Sequence, residues 1–178
     1  MERLVVKYQS RIYNTILKIC ANTDDAAELT QDTFVKVIEN IEKFQGRSSF
    51  YTWIFRIAVN LTLNYCRKNK KVQIRSLEAE TAEVSQSRRK LLKEYLSDNN
   101  SPNPEEVAQN KELGQIALKA LMMLGEDQRA VLVLRDIEGM NYAGIAVVLN
   151  VQLGTVRSRL SRARSSLRQI VEAFTNEG

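Results

Sequence analysis

Pro102 and Pro104 are the only prolines in this 178-residue chain, and they stand together in the segment DNNSPNP. Each disfavours helix at the residue before it. On either side the apolar residues recur at the three- and four-residue spacing of helices. Met1 to about Lys71 reads as helical throughout, with Gly46 as its only glycine. Arg75 to Pro104 is polar and weakly periodic, with at most a short helix around Arg88–Leu96. The helical pattern resumes at Glu105 and continues to about Phe174. The length permits one domain or two small ones. The pattern predicts an all-α fold of two small helical modules, 1–71 and 105–178, joined by a flexible linker over 72–104. No internal repeat is evident.

The second module ends in GMNYAGIAVVLNVQLGTVRSRLSRAR, Gly139 to Arg164. This reads as a helix, a tight turn and a second helix, and such a second helix lies in the DNA major groove. Ile145, Ala146, Val148 and Leu149 give the first helix an apolar side. Asn150 can end it, because Asn tolerates the left-handed conformation. Gly154 supplies flexibility before the second helix, and Thr155 is the expected N-cap. On a wheel of 100° per residue, Val156, Leu160, Ala163, Leu167 and Ile170 form the packing stripe. Ser158, Ser161 and Ser165 lie opposite. Arg157, Arg164 and Arg168 flank the serines on one side, and Arg159 and Arg162 on the other. Small hydroxyls between guanidinium rails suit base edges and phosphates.

The first module carries the opposite charge. Asp24 to Gln45 holds six acids against two lysines, a net −4, whereas Val151 to Ile170 holds five arginines and no acid. One end of the chain seeks phosphate, and the other suits a basic protein partner. Asn22 or Thr23 can cap a helix from Asp24 to about Ile41, with Asp24 and Asp25 at the positive end of its dipole. Ala27, Phe34, Val37, Ile38 and Ile41 are its expected core face. Asp24, Glu28, Asp32 and Glu39 form an adjacent strip with Gln31 and Val35, which also suits a merely solvated face.

The next helix follows Ser48 or Ser49 as cap and runs from Phe50 to about Lys70. Its expected core face is Phe50, Ile54, Ile57, Ala58, Leu61 and Tyr65. Trp53, Arg56, Asn60, Asn64 and Arg67 line a separate strip. Rings stack on unpaired bases and cations track a backbone, so the strip suits single-stranded DNA. It equally suits a core Trp53 and an Arg56 paired with an acid of the neighbouring helix.

Other classes find little support. No apolar run approaches the length of a membrane span, and the charged N-terminus is no secretory signal. No membrane insertion is expected. Cys20 and Cys66 are too few for a disulfide framework and sit in apolar helical patterns, so a reducing cytoplasm is expected. The chain has no histidine, the commonest general base and metal ligand. No metal-ligand spacing, phosphate loop or nucleophile elbow occurs. Neither a cofactor, a metal nor catalysis is expected.

The stretch Asp25–Lys68, with its FYTWIFRIAVN block, resembles region 2 of bacterial sigma factors of the extracytoplasmic-function (ECF) group. Gly125–Arg164 resembles region 4 of the same group, in the family's order and separation. The resemblance implies docking on core RNA polymerase by Asp25, Glu28, Leu29, Gln31, Asp32, Phe34 and Val35. It implies recognition and melting of the −10 element by Trp53, Arg56, Asn60, Asn64, Arg67 and Lys68. The loop Phe44–Ser49, with Arg47, Ser48 and Ser49, corresponds to the place where a flipped-out base is captured. Thr155, Arg157, Ser158, Arg159, Ser161 and Arg162 correspond to the −35 reader. The linker would run through the polymerase channels, and an anti-sigma partner is implied.

The chain departs from the family at several points. It starts close to the first conserved helix, so part of the leading helix is expected to be missing. Ala27 stands where an acid is common, and Gly125 where proline is frequent. Gly144 replaces a usual acid and costs up to about 1 kcal/mol of helix propensity. A stand-alone helix-turn-helix regulator, binding a palindromic operator as a dimer, is the competing expectation.

Overall fold

Asn22 sets where the acidic helix begins: its Oδ1 accepts the backbone N–H of Asp24 at 2.9 Å and of Asp25 at 3.2 Å. In the computed structural model, which describes residues 2–73, 114 and 116–176, every regular element is helical. The first half holds α1 (Glu2–Cys20), α2 (Thr23–Asn40), a 3-10 turn (Ile41–Lys43) and α3 (Phe50–Gln73). The second holds α4 (116–123), α5 (Glu126–Leu132), a π-helical turn (Val133–Ile137), α6 (Tyr142–Leu149) and α7 (Leu153–Asn176). The expected linker after residue 73 and the short helix around Arg88–Leu96 lie outside the described residues.

α1, α2 and α3 pack on one another around Ile12, Ile16, Ile19, Val37, Ile54 and Phe55. Phe55 is wholly buried, so truncating it to alanine removes about 3–5 kcal/mol. On α2 the buried face is Ala26, Leu29, Thr30, Thr33, Phe34 and Val37, rotated from the expected one. Ala27 is exposed and Ile38 is 54% exposed. Two threonines make the shift possible. Thr30 and Thr33 bond back to the carbonyls of Ala26 and Leu29, each at 2.6 Å, so their hydroxyls are satisfied and their methyls pack.

α3 is buried over a broader arc than its own module needs. Ile54, Phe55, Ala58, Val59, Thr62 and Leu63 are buried, and Phe50, Ile57, Leu61 and Tyr65 half-buried. At 100° per residue this spans roughly 240°. The expected face missed Phe55, Val59 and Leu63 because the second half of the chain also packs here, with α3 against α6 and α1 against α5. The two expected modules thus share one apolar core.

The helix-turn-helix is built from α6 and α7. Asn141 caps α6 by accepting the Gly144 N–H at 2.7 Å. Asn150 ends it in the left-handed conformation, φ 53° and ψ 50°. α7 starts earlier than expected, at Leu153. Thr155 therefore lies inside the first turn and is not the N-cap. The backbone carbonyl of Gln152 accepts both the Thr155 N–H at 3.0 Å and the Val156 N–H at 3.2 Å. Gly154 likewise falls within the helix. Val156, Leu160 and Ala163 are buried, as the wheel predicts, with Leu167 and Ile170 packed at the margin.

Candidate nucleic-acid interface

The exposed side of α7 carries the cations. Arg157, Ser161, Arg162, Arg164, Ser165 and Arg168 are exposed, while Thr155, Ser158 and Arg159 are half-buried. Ser158 turns its hydroxyl to the Thr155 carbonyl at 3.1 Å. A groove of about 380 Å³ beside the helix is lined by Tyr142, Arg157, Leu160, Ser161, Arg164 and Arg168. Arg164 Nη2 meets Asp136 Oδ1 at 2.6 Å, and this hydrogen bond raises the guanidinium pKa further. Arg157 and Arg162 form no ion pair among the described residues. The helix thus holds unsatisfied guanidinium charge where phosphates could approach.

The strip on α3 stands partly open. Trp53, Arg56, Asn60 and Asn64 line a groove of about 300 Å³ with Ile57, Leu61 and Lys36 of α2. Sequence reasoning left Lys36 out; it lies among acids on α2 and becomes a neighbour of the strip only in three dimensions. Trp53 is half-buried, held by Phe44 at 5.1 Å and Phe50 at 5.6 Å between ring centroids. The loop to which Phe44 belongs turns through Gly46 at φ 68°. Arg47 and Ser49 are exposed there, and Ser48 half-buried. Ser49 Oγ accepts the Thr52 N–H at 3.1 Å, which makes it the cap of α3. An aromatic cluster thereby fixes the indole edge without burying it.

Two further strip residues find partners in the second half of the chain. Asn60 Nδ2 donates to the Val148 carbonyl of α6 at 3.0 Å and to its own helix at the Arg56 carbonyl at 2.7 Å. Arg67 Nη2 lies 2.9 Å from Asp127 Oδ1 of α5, and Arg159 Nη1 of α7 lies 4.0 Å from the same oxygen. Lys68 is exposed.

The acidic helix exposes Glu28, Gln31, Asp32 and Val35, with Val35 at 52%. Leu29 and Phe34, expected on the docking surface, are buried beneath it. They can shape that surface but not touch a partner. Asp25 is half-buried and accepts the Tyr65 hydroxyl at 2.6 Å.

A buried carboxylate that the sequence did not reveal joins the halves. Glu138 Oε2 accepts from Arg11 Nε at 2.6 Å and from the Tyr51 hydroxyl at 3.1 Å. Its Oε1 accepts from the Thr15 hydroxyl at 2.8 Å, and its backbone carbonyl from Arg11 Nη2 at 3.2 Å. The Glu138 side chain is only 5% exposed. The bond to Glu138 raises the Arg11 pKa. Burial, then the carboxylate, raises that of Tyr51. Burial lowers that of Lys18, against the pull of Glu138. No local signal marks Glu138, because its partners lie at least 87 positions away in the chain.

No group of three metal-ligating side chains occurs among the described residues. None of the described helices is long and apolar enough to cross a membrane.

Known proteins resemble this chain over most of its length. Residues 4–72 match the family Sigma-70 region 2, and residues 114–167 match Sigma-70, region 4. The ECF RNA polymerase sigma-E factor of Escherichia coli K12 is 34% identical over 168 residues, 92% of this chain and 82% of that protein. The ECF RNA polymerase sigma factor SigE of Mycolicibacterium smegmatis is 32% identical over 176 residues, covering 99% of this chain and 63% of the relative. The sigma factor RpoE, solved with the anti-sigma factor NepR from Bartonella quintana, shares the fold with a TM-score of 0.68 at 23% identity, over 96% of both chains. CnrH, solved with the cytosolic domain of CnrY, gives 0.63 at 21% identity, over 97% of this chain and 87% of that one.

Proposed function

The chain belongs to the sigma-70 family as an ECF sigma factor of bacterial RNA polymerase, and on that premise we propose how its surfaces divide the work. The protein directs transcription as a sigma factor. In our reading the module 1–71 docks on core polymerase through Glu28, Gln31, Asp32 and Val35, with Asp25 at the foot of that face. Leu29 and Phe34 hold the face from beneath. Trp53, Arg56, Asn60, Asn64, Arg67 and Lys68 take the melted −10 strand, with Arg47, Ser48 and Ser49 of the neighbouring loop at an extruded base. The module 105–178 reads the −35 duplex through Arg157, Ser158, Arg159, Ser161 and Arg162 of α7, with Thr155 in its first turn. Residues 72–104 connect the two.

The protein performs no catalysis itself and works in the cytoplasm, in this reading. An anti-sigma protein is its regulatory partner, as NepR is for RpoE. One observation carries the proposal. An exposed acidic–apolar face, an aromatic–amide groove and an arginine–serine helix occur in one chain, in the order of the two matched regions. A lone duplex-binding regulator needs only the last of these.

Run-off transcription with purified core polymerase on genomic fragments is the test. Transcripts starting downstream of a shared pair of elements are expected. No transcript from any fragment, together with tight two-fold-symmetric binding to duplex DNA without polymerase, would replace the proposal by a stand-alone regulator.

A further inference from the structure

Gly154 meets no demand inside the protein that only glycine satisfies. It lies in the helical first turn of α7, exposed, and a Cβ placed there would meet nothing within 4 Å. The surroundings of Gly46 and Gly144 differ. Gly46 turns its loop at φ 68°, and a Cβ at Gly144 would come within 3.1 Å of Asn141 Oδ1. Glycine weakens a helix, because it loses more backbone freedom on folding than alanine does. Where the dihedrals are compatible and the space is open, alanine gives the more stable protein. The chain forgoes that gain at Gly154, as proteins do where function sets the residue.

The direction of Gly154 indicates what needs the bare backbone. At 100° per residue it lies within about 40° of Ser158, Ser161 and Ser165 around α7. Arg157 stands about 60° to one side and Arg162 about 80° to the other. The buried Val156, Leu160 and Ala163 point away from it. A helix of this kind meets base edges with its N-terminal residues, and Gly154 is the second residue of α7. A residue without a side chain is the one that lets another molecule approach the backbone most closely.

We propose that Gly154 is where the backbone of α7 touches the −35 duplex, and that its missing side chain sets how deep the helix sits in the groove. Placing that face on the duplex rests on the proposed function; the open space at Gly154 does not. A methyl group there holds the helix off by its own thickness. Ser158 and Ser161 are short and lose the base edges first. The long arginines still span the gap to the phosphates, which position the protein without reading sequence. Gly154 is thus a specificity-determining residue through a side chain it lacks.

The test uses full-length wild type, Gly154→Ala and Gly154→Leu, each assembled with core polymerase. The probes are a promoter duplex mapped by run-off transcription and the same duplex with its −35 element scrambled. Fluorescence anisotropy at several salt concentrations reads affinity and salt slope, and thermal melting of the free proteins reads stability. Gly154→Ala is expected to melt no lower than wild type, and up to about 4 °C higher. It should bind the mapped duplex roughly fivefold or more weakly, the size of one lost base contact, and the scrambled duplex within about twofold of wild type. The salt slope should move by less than about 0.5, because no phosphate contact is lost. Gly154→Leu should lose more affinity than Gly154→Ala. Wild-type affinity in Gly154→Ala overturns the close approach, and so does a loss equal on both duplexes or one that does not grow with side-chain size. A lower melting temperature overturns it too, since the glycine would then serve the fold. The outcomes separate the two ideas. A wild type that discriminates between the duplexes while Gly154→Ala matches it sinks the close approach alone. A wild type that treats the two duplexes alike sinks the functional reading and the close approach with it.

Discussion

Tyr65 donates its hydroxyl to Asp25 at 2.6 Å, tying the first turn of the acidic helix to the helix that carries the aromatic–amide groove. The proposed docking face and the proposed strand-binding strip are therefore tied to each other. Burial, and next the bond to Asp25, pushes the Tyr65 phenol up to about 12.

That shift has a pH signature. A raised phenol pKa contributes stability that is fully present below the ordinary value near 10 and is lost as pH rises through about 12. Tyr65→Phe should lower stability by about 1 kcal/mol near neutral pH, the usual worth of one hydrogen bond. It should also flatten the loss of stability between pH 10 and 12. Urea unfolding of both proteins across that range checks both effects.

Cys20 should be nearly inert. Burial pushes its thiol up to about 12, so little of the nucleophilic thiolate exists at pH 8. In a Cys66→Ser background, Cys20 should label with iodoacetamide at least tenfold more slowly than an unfolded control. Mass spectrometry over a time course reads this, and labelling at the unfolded rate would contradict the buried placement.

Asp32 is exposed on the proposed docking face. Asp32→Lys should weaken association with core polymerase by tenfold or more and change stability by less than about 0.5 kcal/mol, as surface substitutions do. Its binding to the isolated −35 duplex should stay at the wild-type level. Competition for labelled core polymerase and thermal melting separate the two effects.

The arginines of α7 should not be equal. Arg157→Ala and Arg162→Ala should each lower the slope of log K against log salt by about 1, the signature of one lost phosphate contact. Arg164 must first leave Asp136, so Arg164→Ala should change affinity less. Asp136→Asn should raise affinity for the −35 duplex. Anisotropy titrations at four salt concentrations supply the slopes.

Asn22→Ala removes the acceptor that holds the Asp24 and Asp25 amides. The expected cost is about 1 kcal/mol, or roughly 2–4 °C in melting temperature for a chain of this size. Asn22→Asp should retain the cap and the melting temperature.

Several local features follow from local causes, although the start of α7 lies two residues before the expected Thr155 cap. The Asn22 cap, the left-handed Asn150 and the buried Val156–Leu160–Ala163 stripe each follow from neighbours within a turn or two. The departures have two origins, hydrogen bonding within a helix and contacts across the chain. Ala27 and Ile38 look like core and are exposed, because Thr30 and Thr33 satisfy their hydroxyls internally and take the buried side. Phe55, Val59 and Leu63 look surplus to a three-helix packing and are buried by the other half. Leu29 and Phe34 carry a docking motif yet face inward. In the proposed site, the strip Trp53, Arg56, Asn60 and Asn64 was legible as a periodic set. Val148 as the partner of Asn60 and Asp127 as that of Arg67 were not, since nothing in either neighbourhood encodes the pairing.

The π-helical turn from Val133 to Ile137 is one residue longer than an ordinary helical turn would be, and Glu138 follows it, with its N–H bonded to the Val133 carbonyl at 2.9 Å. Deleting a single residue there would restore regular winding. It would also swing position 138 by about 100° around the helix axis, away from Arg11, Thr15 and Tyr51. The phase of the backbone, set by that one surplus residue, decides whether Glu138 can reach Arg11, Thr15 and Tyr51. A shortened chain would keep the apolar packing of α3 on α6 and lose the bonds of Glu138 to Arg11, Thr15 and Tyr51.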